Sequence, residues 1–298
     1  VKGSVVPKVA PQILGAVFLG LAVYIGHKLI PTYFPLFTTA PFLLIGLALS
    51  VFLGFRNSAS YDRYWEGRKL WGQLVIDART IARQCQSLIG TNIDQREQSD
   101  LTDIRKSITY KTIGFSHALR HHLRDTSAID DLKNYLTQDE LSAVKQQDNK
   151  PNAIIDLLAL DIRTCINKKW LSDQLAQNMD DRLTSSASVL AACERIKNTP
   201  IPFAYTLLLH RTAYIYCFLL PFGLVDTVGA MTPIVVGIVS YTFFGLDALG
   251  DEIEEPFGEL PNDLPLSAIC RTIEINLKQS LGEANIPEHL QPVDYCLL

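Results

Sequence analysis

His117 and His121 stand four residues apart in HALRHH, residues 117–122. On a helix that spacing puts both imidazoles on one face, where they could share a metal ion. No HExxH pattern surrounds them, and no neighbouring cysteine or acidic partner completes a ligand set. The plain alternative is a polar surface or interface of a helix. A second candidate is acidic. DALGDEIEEPFGELPND, residues 247–263, carries the carboxylates that calcium favours. It lacks the DxDxDG spacing of an EF-hand, and it reads more readily as a solvated acidic helix end followed by a Pro/Gly loop. The six cysteines, Cys85, Cys165, Cys193, Cys217, Cys270 and Cys296, are scattered singly with no CxxC pair, so neither a zinc site nor a redox dithiol is indicated. No Ser/His/Asp set has a recognisable local motif. These residues point away from an enzyme, and no cofactor is expected.

The third pattern is apolar. Leu47, Val51 and Phe55 fall at i, i+4 and i+8, sharing one helix face that drifts by about 40° per step. Gly54, Ser58 and Trp65 extend roughly the same strip. The surrounding stretch, VFLGFRNSASYDRYWEGRKLWGQL (51–74), runs from lipid-compatible residues into Arg56, Asp62, Arg63, Glu66, Arg68 and Lys69 with no proline between. Spacing alone describes the packed face of an ordinary membrane span.

Something must position these residues. The chain has 298 residues, is 48% hydrophobic and has a mean hydropathy of +0.14. Membrane spans combined with a polar helical part fit those values. The net charge of −4 gives no clustered basic surface for nucleic acid. Four stretches approach the roughly 20 apolar residues that cross a bilayer: 11–30, 38–56, 203–222 and 228–246. The third contains His210 and Arg211, which must face protein or water. The N-terminal apolar run is long enough for a span rather than a removed signal.

Lys and Arg placement sets the expected orientation. Arg56, Arg63, Arg68 and Lys69 follow the second span, and Arg195, Lys197 and Arg211 flank the third. No Lys or Arg lies between 212 and 270, which makes the connection around Asp226 external and both termini cytoplasmic. The chain is expected to divide into membrane segments 1 and 2 (1–56), a cytoplasmic helical region (57–200), membrane segments 3 and 4 (201–248) and a C-terminal cytoplasmic segment (249–298), forming one integrated domain. Helices are expected near 69–89, 100–124, 128–147, 153–170, 173–197 and 266–281, with polar turns at TNIDQREQSD and at Asn149-Lys150-Pro151-Asn152.

GFRNSASYDRYWEGRKLWGQL resembles the signature of bestrophin channels, especially the prokaryotic branch, with Arg63-Tyr64-Trp65 at the family's Arg-aromatic-Trp element. IPFAYTLLLHRTAYIY (201–216) is similar to the entry to the family's third membrane segment. EEPFGELPND (254–263) is similar to its Asn-Pro-Phe-Gly element and the acidic run behind it. The resemblance implies an all-α membrane fold with four spans and a cytoplasmic helical domain, assembled as a homopentamer in the bacterial inner membrane. It implies a hydrophobic neck at Leu47, Val51 and Phe55, replacing the packed-face reading, and a cytosolic aperture at Cys165 or Ile166. The calcium clasp of the animal members is degenerate here. Leu260 replaces its first aspartate and Pro261 interrupts the run, leaving Glu252, Glu255 and Asp263, so no metal site is expected. The implied partners are other copies of the chain, lipids and permeant monovalent ions. The prokaryotic wording leans toward cations such as Na+, with chloride or another anion as the alternative. A membrane-anchored scaffold or sensor is the further alternative.

Overall fold

The structure is a computed structural model and describes residues 3–31, 37–90, 98–294 and 296–297. Its helices are α1 (Val6–Leu29), α2 (Thr39–Leu88), α3 (Gln98–Leu123), α4 (Ile129–Leu132), α5 (Gln138–Lys145), α6 (Lys150–Asn167), α7 (Asp173–Asn198), α8 (Phe203–Val228), α9 (Thr232–Glu254) and α10 (Leu266–Ser280). Among the described residues, three stretches are long and apolar enough to cross a membrane: Val6–Leu29, part of Thr39–Leu88, and part of Phe203–Glu254. The last holds both α8 and α9, separated by one 3-10 turn, Gly229–Met231. Gly229 has φ of 55°, a left-handed conformation that glycine adopts without the Cβ clash other residues meet.

The chain forms two compact units, Val1–Tyr64 with Pro200–Pro256, and Trp65–Thr199 with Phe257–Leu298. In the first unit, contacts between helices run in opposite senses along each pair. Tyr214 meets Phe244 with ring centroids 4.8 Å apart, Tyr216 meets Phe243 at 5.3 Å, and His210 reaches Asp247 at 2.7 Å, so α8 and α9 are antiparallel. Phe42 meets Tyr216 at 6.3 Å while Tyr205 donates from its hydroxyl to the Phe52 carbonyl at 3.1 Å, which makes α2 antiparallel to α8. Gly20 lies against the backbone of Pro233, where an added Cβ would come within 3.1 Å of the Pro233 Cα, and Val17 abuts Gly237. α1 and α9 are therefore antiparallel as well, and small residues allow their close approach. The starts of α1 and α8 share one end of the unit with Arg56 and the end of α9. Two apolar clusters fill it: Leu49, Leu53, Leu209, Ala213, Phe243 and Phe244 at that end, and Ala16, Phe42, Leu220 and Val236 beyond it.

The second unit is a helical bundle with its own core, including Leu74, Ile81, Ile113, Leu119, Leu158, Leu183 and Ile273. Its helices start where the side chains say they should. Thr137 and Glu140 form a capping box on α5. The Asn149 side chain accepts from the Asn152 N–H at 3.1 Å to cap α6, with Pro151 in its first turn. Ser172 caps α7. The single helix expected over 128–147 is instead the two short helices α4 and α5, because the Thr137 capping box starts a new helix after residues 133–136. Most of the polar turn expected at TNIDQREQSD lies outside the described residues.

Candidate functional site

Helix α2 presents two opposite faces within the first unit. Leu49, Leu53, Arg56 and Ser60 are buried. Leu47, Val51 and Phe55 are 65%, 47% and 65% exposed, and Ser58 and Asp62 are exposed with them. At about 100° per residue the exposed strip is centred about 180° from the buried set. The face with Leu47, Val51 and Phe55 is thus the one directed away from the unit's own core. Three large apolar side chains in line on that face call for lipid, a second protein surface or a dry conduit.

A buried ion network holds the other face. The guanidinium of Arg56 is fully buried; its Nη1 donates to Asp247 Oδ1 at 2.7 Å, and its Nη2 pairs with Asp251 and lies 3.7 Å from Glu254 Oε2. Asp247 Oδ2 also lies 2.7 Å from His210 Nδ1. Arg56 closes the second expected span. It points inward, because burial in a low-dielectric core is tolerated only with carboxylate partners, and α9 supplies them. The acidic helix end is correspondingly not simply solvated: Asp247 is buried and Glu254 half-buried. A span ending in Arg56 and a span containing Asp247 are each unfavourable alone and compatible as a pair. His210 finds its protein partner in the same carboxylate.

At the signature element, the Arg63 Nε donates to the Glu254 carbonyl at 3.0 Å, and Glu254 Oε1 accepts from the Ile201 N–H at 2.9 Å. Tyr64 is half-buried and Trp65 exposed. Trp71 is fully buried in the second unit, where its ring contributes core volume.

Of the two aperture candidates, Cys165 is 0% exposed, its thiol pushed up to about 11 by burial. It has no surface with which to line an opening, whereas Ile166 is half-buried. Of the residual clasp positions, Glu252 is half-buried and Glu255 exposed. Asp263 is buried, with Oδ2 accepting from the Leu260 N–H at 2.7 Å. Among the described residues no group of three His, Cys, Asp or Glu side chains is placed to hold a metal ion.

HALRHH does have an acidic partner, ten residues beyond His121. Asp131 Oδ2 lies 3.3 Å from His117 Nδ1, 3.0 Å from His121 Nε2 and 2.5 Å from Arg120 Nη2. The guanidinium fills the space a shared metal ion would need. His117 is buried, stacked on Tyr135 at 5.3 Å, rather than lying on a polar surface. Hydrogen bonding to His117 holds the Asp131 carboxyl well below the usual carboxylate range, while burial pushes the His121 imidazole below its ordinary value. The cluster joins α3 to α4 and is structural.

Residues 1–279 match the family model of the bacterial/fungal bestrophin protein. A voltage-dependent anion channel-forming protein, YneE, of Salmonella typhi is 45% identical over 290 residues, spanning 96% of this chain and 90% of that protein. The Escherichia coli K12 protein of the same name is 42% identical over 293 residues, spanning 97% and 92%. The crystal structure of a bacterial bestrophin homolog from Klebsiella pneumoniae has 38% sequence identity and a TM-score of 0.87, covering 93% of this chain and 100% of that one. These matches span both compact units and include the α2 strip and the Arg56 network, and on them the chain belongs to the bestrophin family of membrane ion channels.

Proposed function

We propose that five copies of this chain assemble around a central pore and conduct monovalent ions passively, with the exposed strip of α2 as the pore wall. The observation that carries this reading is the pair of opposed faces on α2: one face is locked to α9 through Arg56, and the other offers Leu47, Val51 and Phe55 to a space the subunit does not fill. Five-fold rings of these side chains make a dry neck that gates by dewetting. Ile166 is the residue proposed for the cytosolic aperture. α1, the first half of α2, α8 and α9 are the four proposed crossings of the bacterial inner membrane, with both termini on the cytoplasmic side. Their antiparallel alternation and the Lys/Arg bias support that topology.

The relatives' names bear on the permeant ion. The Salmonella and Escherichia proteins are named for anion channels, which favours anions for this chain over the cations expected from the prokaryotic wording. An uncharged neck leaves the choice to charges at its ends. A reversal potential in purified protein reconstituted under a tenfold KCl gradient tests the assignment. A value near the chloride equilibrium potential is expected, and a value near that of potassium overturns it.

A further inference from the structure

We propose that Asp62 is a fixed charge at the inner end of the neck that limits the channel's anion preference. The inference rests on the exposed strip of α2 being the pore wall. Seven residues are two helical turns, so Asp62 stands about 10 Å beyond Phe55 in the same register. Measured around the helix it falls at the middle of the strip formed by Leu47, Val51 and Phe55, opposite the buried Leu53, Arg56 and Ser60. Between Leu47 and Asp62 that strip holds Val51, Gly54, Phe55 and Ser58, so Asp62 is its first charge.

The carboxylate is exposed, and no hydrogen bond or ion pair to it occurs among the described residues. Of the three cations within six residues, Arg68 falls about 120° around the helix from Asp62, and Arg56 and Arg63 are directed elsewhere. Arg56 is enclosed by Asp247, Asp251 and Glu254, and Arg63 donates from its Nε to the Glu254 carbonyl. The ion network on the back of α2 therefore leaves the Asp62 charge unneutralised on the front. Lys69 is the next charge in this register of the helix and comes two further turns along.

In an assembly of copies, Asp62 becomes a ring. A ring of carboxylates next to an apolar constriction raises the local concentration of cations and depletes anions, because low-dielectric walls focus the field. Its distance from the neck, about 10 Å, is close to one Debye length at 0.1 M salt. The effect is thus felt by an ion leaving the neck and is weakened by salt. This holds whichever ion class the wild type prefers, since the ring acts on the ratio.

The test is the reversal potential of Asp62→Asn in planar bilayers under a tenfold KCl gradient, at low salt and near 1 M. At low salt the anion-to-cation permeability ratio is expected to rise about five-fold over wild type. Near 1 M, where the Debye length is about 3 Å, the difference is expected to shrink toward none. Asp62→Glu, which keeps the charge, is expected to behave as wild type and separates charge from packing. Current through Asp62→Asn with the wild-type reversal potential at low salt overturns this proposal alone. A wild type that carries no current overturns the pore reading and this proposal together.

Discussion

Arg56 ties α2 to α9 in the first unit. It is a full charge with no exposed surface, compensated by Asp247, Asp251 and Glu254 on a helix nearly 200 residues away in sequence. Removing one partner of a buried pair leaves the others uncompensated, which costs about 3–5 kcal/mol. Arg56→Met is therefore expected to lower the unfolding midpoint of the purified protein sharply, and a midpoint equal to wild type would contradict the network's role. His121 supports a prediction about pH. Burial lowers its folded-state pKa below the ordinary 6.5, so the unfolded chain takes up a proton that the folded chain refuses. Stability must then fall as pH drops through about 6.5. The Asp131 carboxyl, depressed by its His117 contact, adds a second loss only below about pH 4. Thermal melts of wild type are expected to decline between about pH 7.5 and 5.5, and His121→Gln is expected to flatten that decline; parallel slopes would refute the assignment.

At the scale of elements, α2 explains why an apolar span runs without a break into a charged one. No proline follows Pro41 in its first turn, and the helix continues for 50 residues. Its two faces make a prediction. In a Cys296→Ser background, a thiol at Ser58→Cys, on the exposed face beyond the proposed neck, is expected to react with a small water-soluble reagent, while one at Ser60→Cys is expected to be protected. Equal labelling would contradict the opposed faces. Most of these elements were legible in the sequence, because apolar periodicity and capping residues such as Thr137, Asn149 and Ser172 are local signals. The register of Leu47, Val51 and Phe55 came from the resemblance, counted back from Arg63-Tyr64-Trp65. What stayed hidden was set by long-range pairing. Nothing near Arg56 in sequence marks Asp247 as its partner, and nothing in HALRHH marks Asp131. Cys165 failed as a lining residue for a similar reason: one position along α6 separates a buried side chain from a half-buried one, and local spacing does not resolve that difference.

At the scale of the whole molecule, the single subunit leaves apolar surface that only a membrane and further copies can cover. Phe18 and Leu29 on α1, Ile215 and Phe218 on α8, and Ile234 and Ile238 on α9 are exposed along with the α2 strip. Lipid and neighbouring subunits suit the outer helices, while a dewetted pore suits a strip repeated around a symmetry axis. Arg56 fixes the back of α2 and leaves its front free for the proposed conduit. Conductance of the purified protein in planar bilayers, compared with the Leu47→Ala/Val51→Ala/Phe55→Ala variant, tests this most directly. The triple variant widens and weakens the dry constriction, and its conductance is expected to rise several-fold while the assembly keeps its size. A conducting wild type whose conductance is unchanged in the triple variant would place the pore somewhere other than the exposed face of α2.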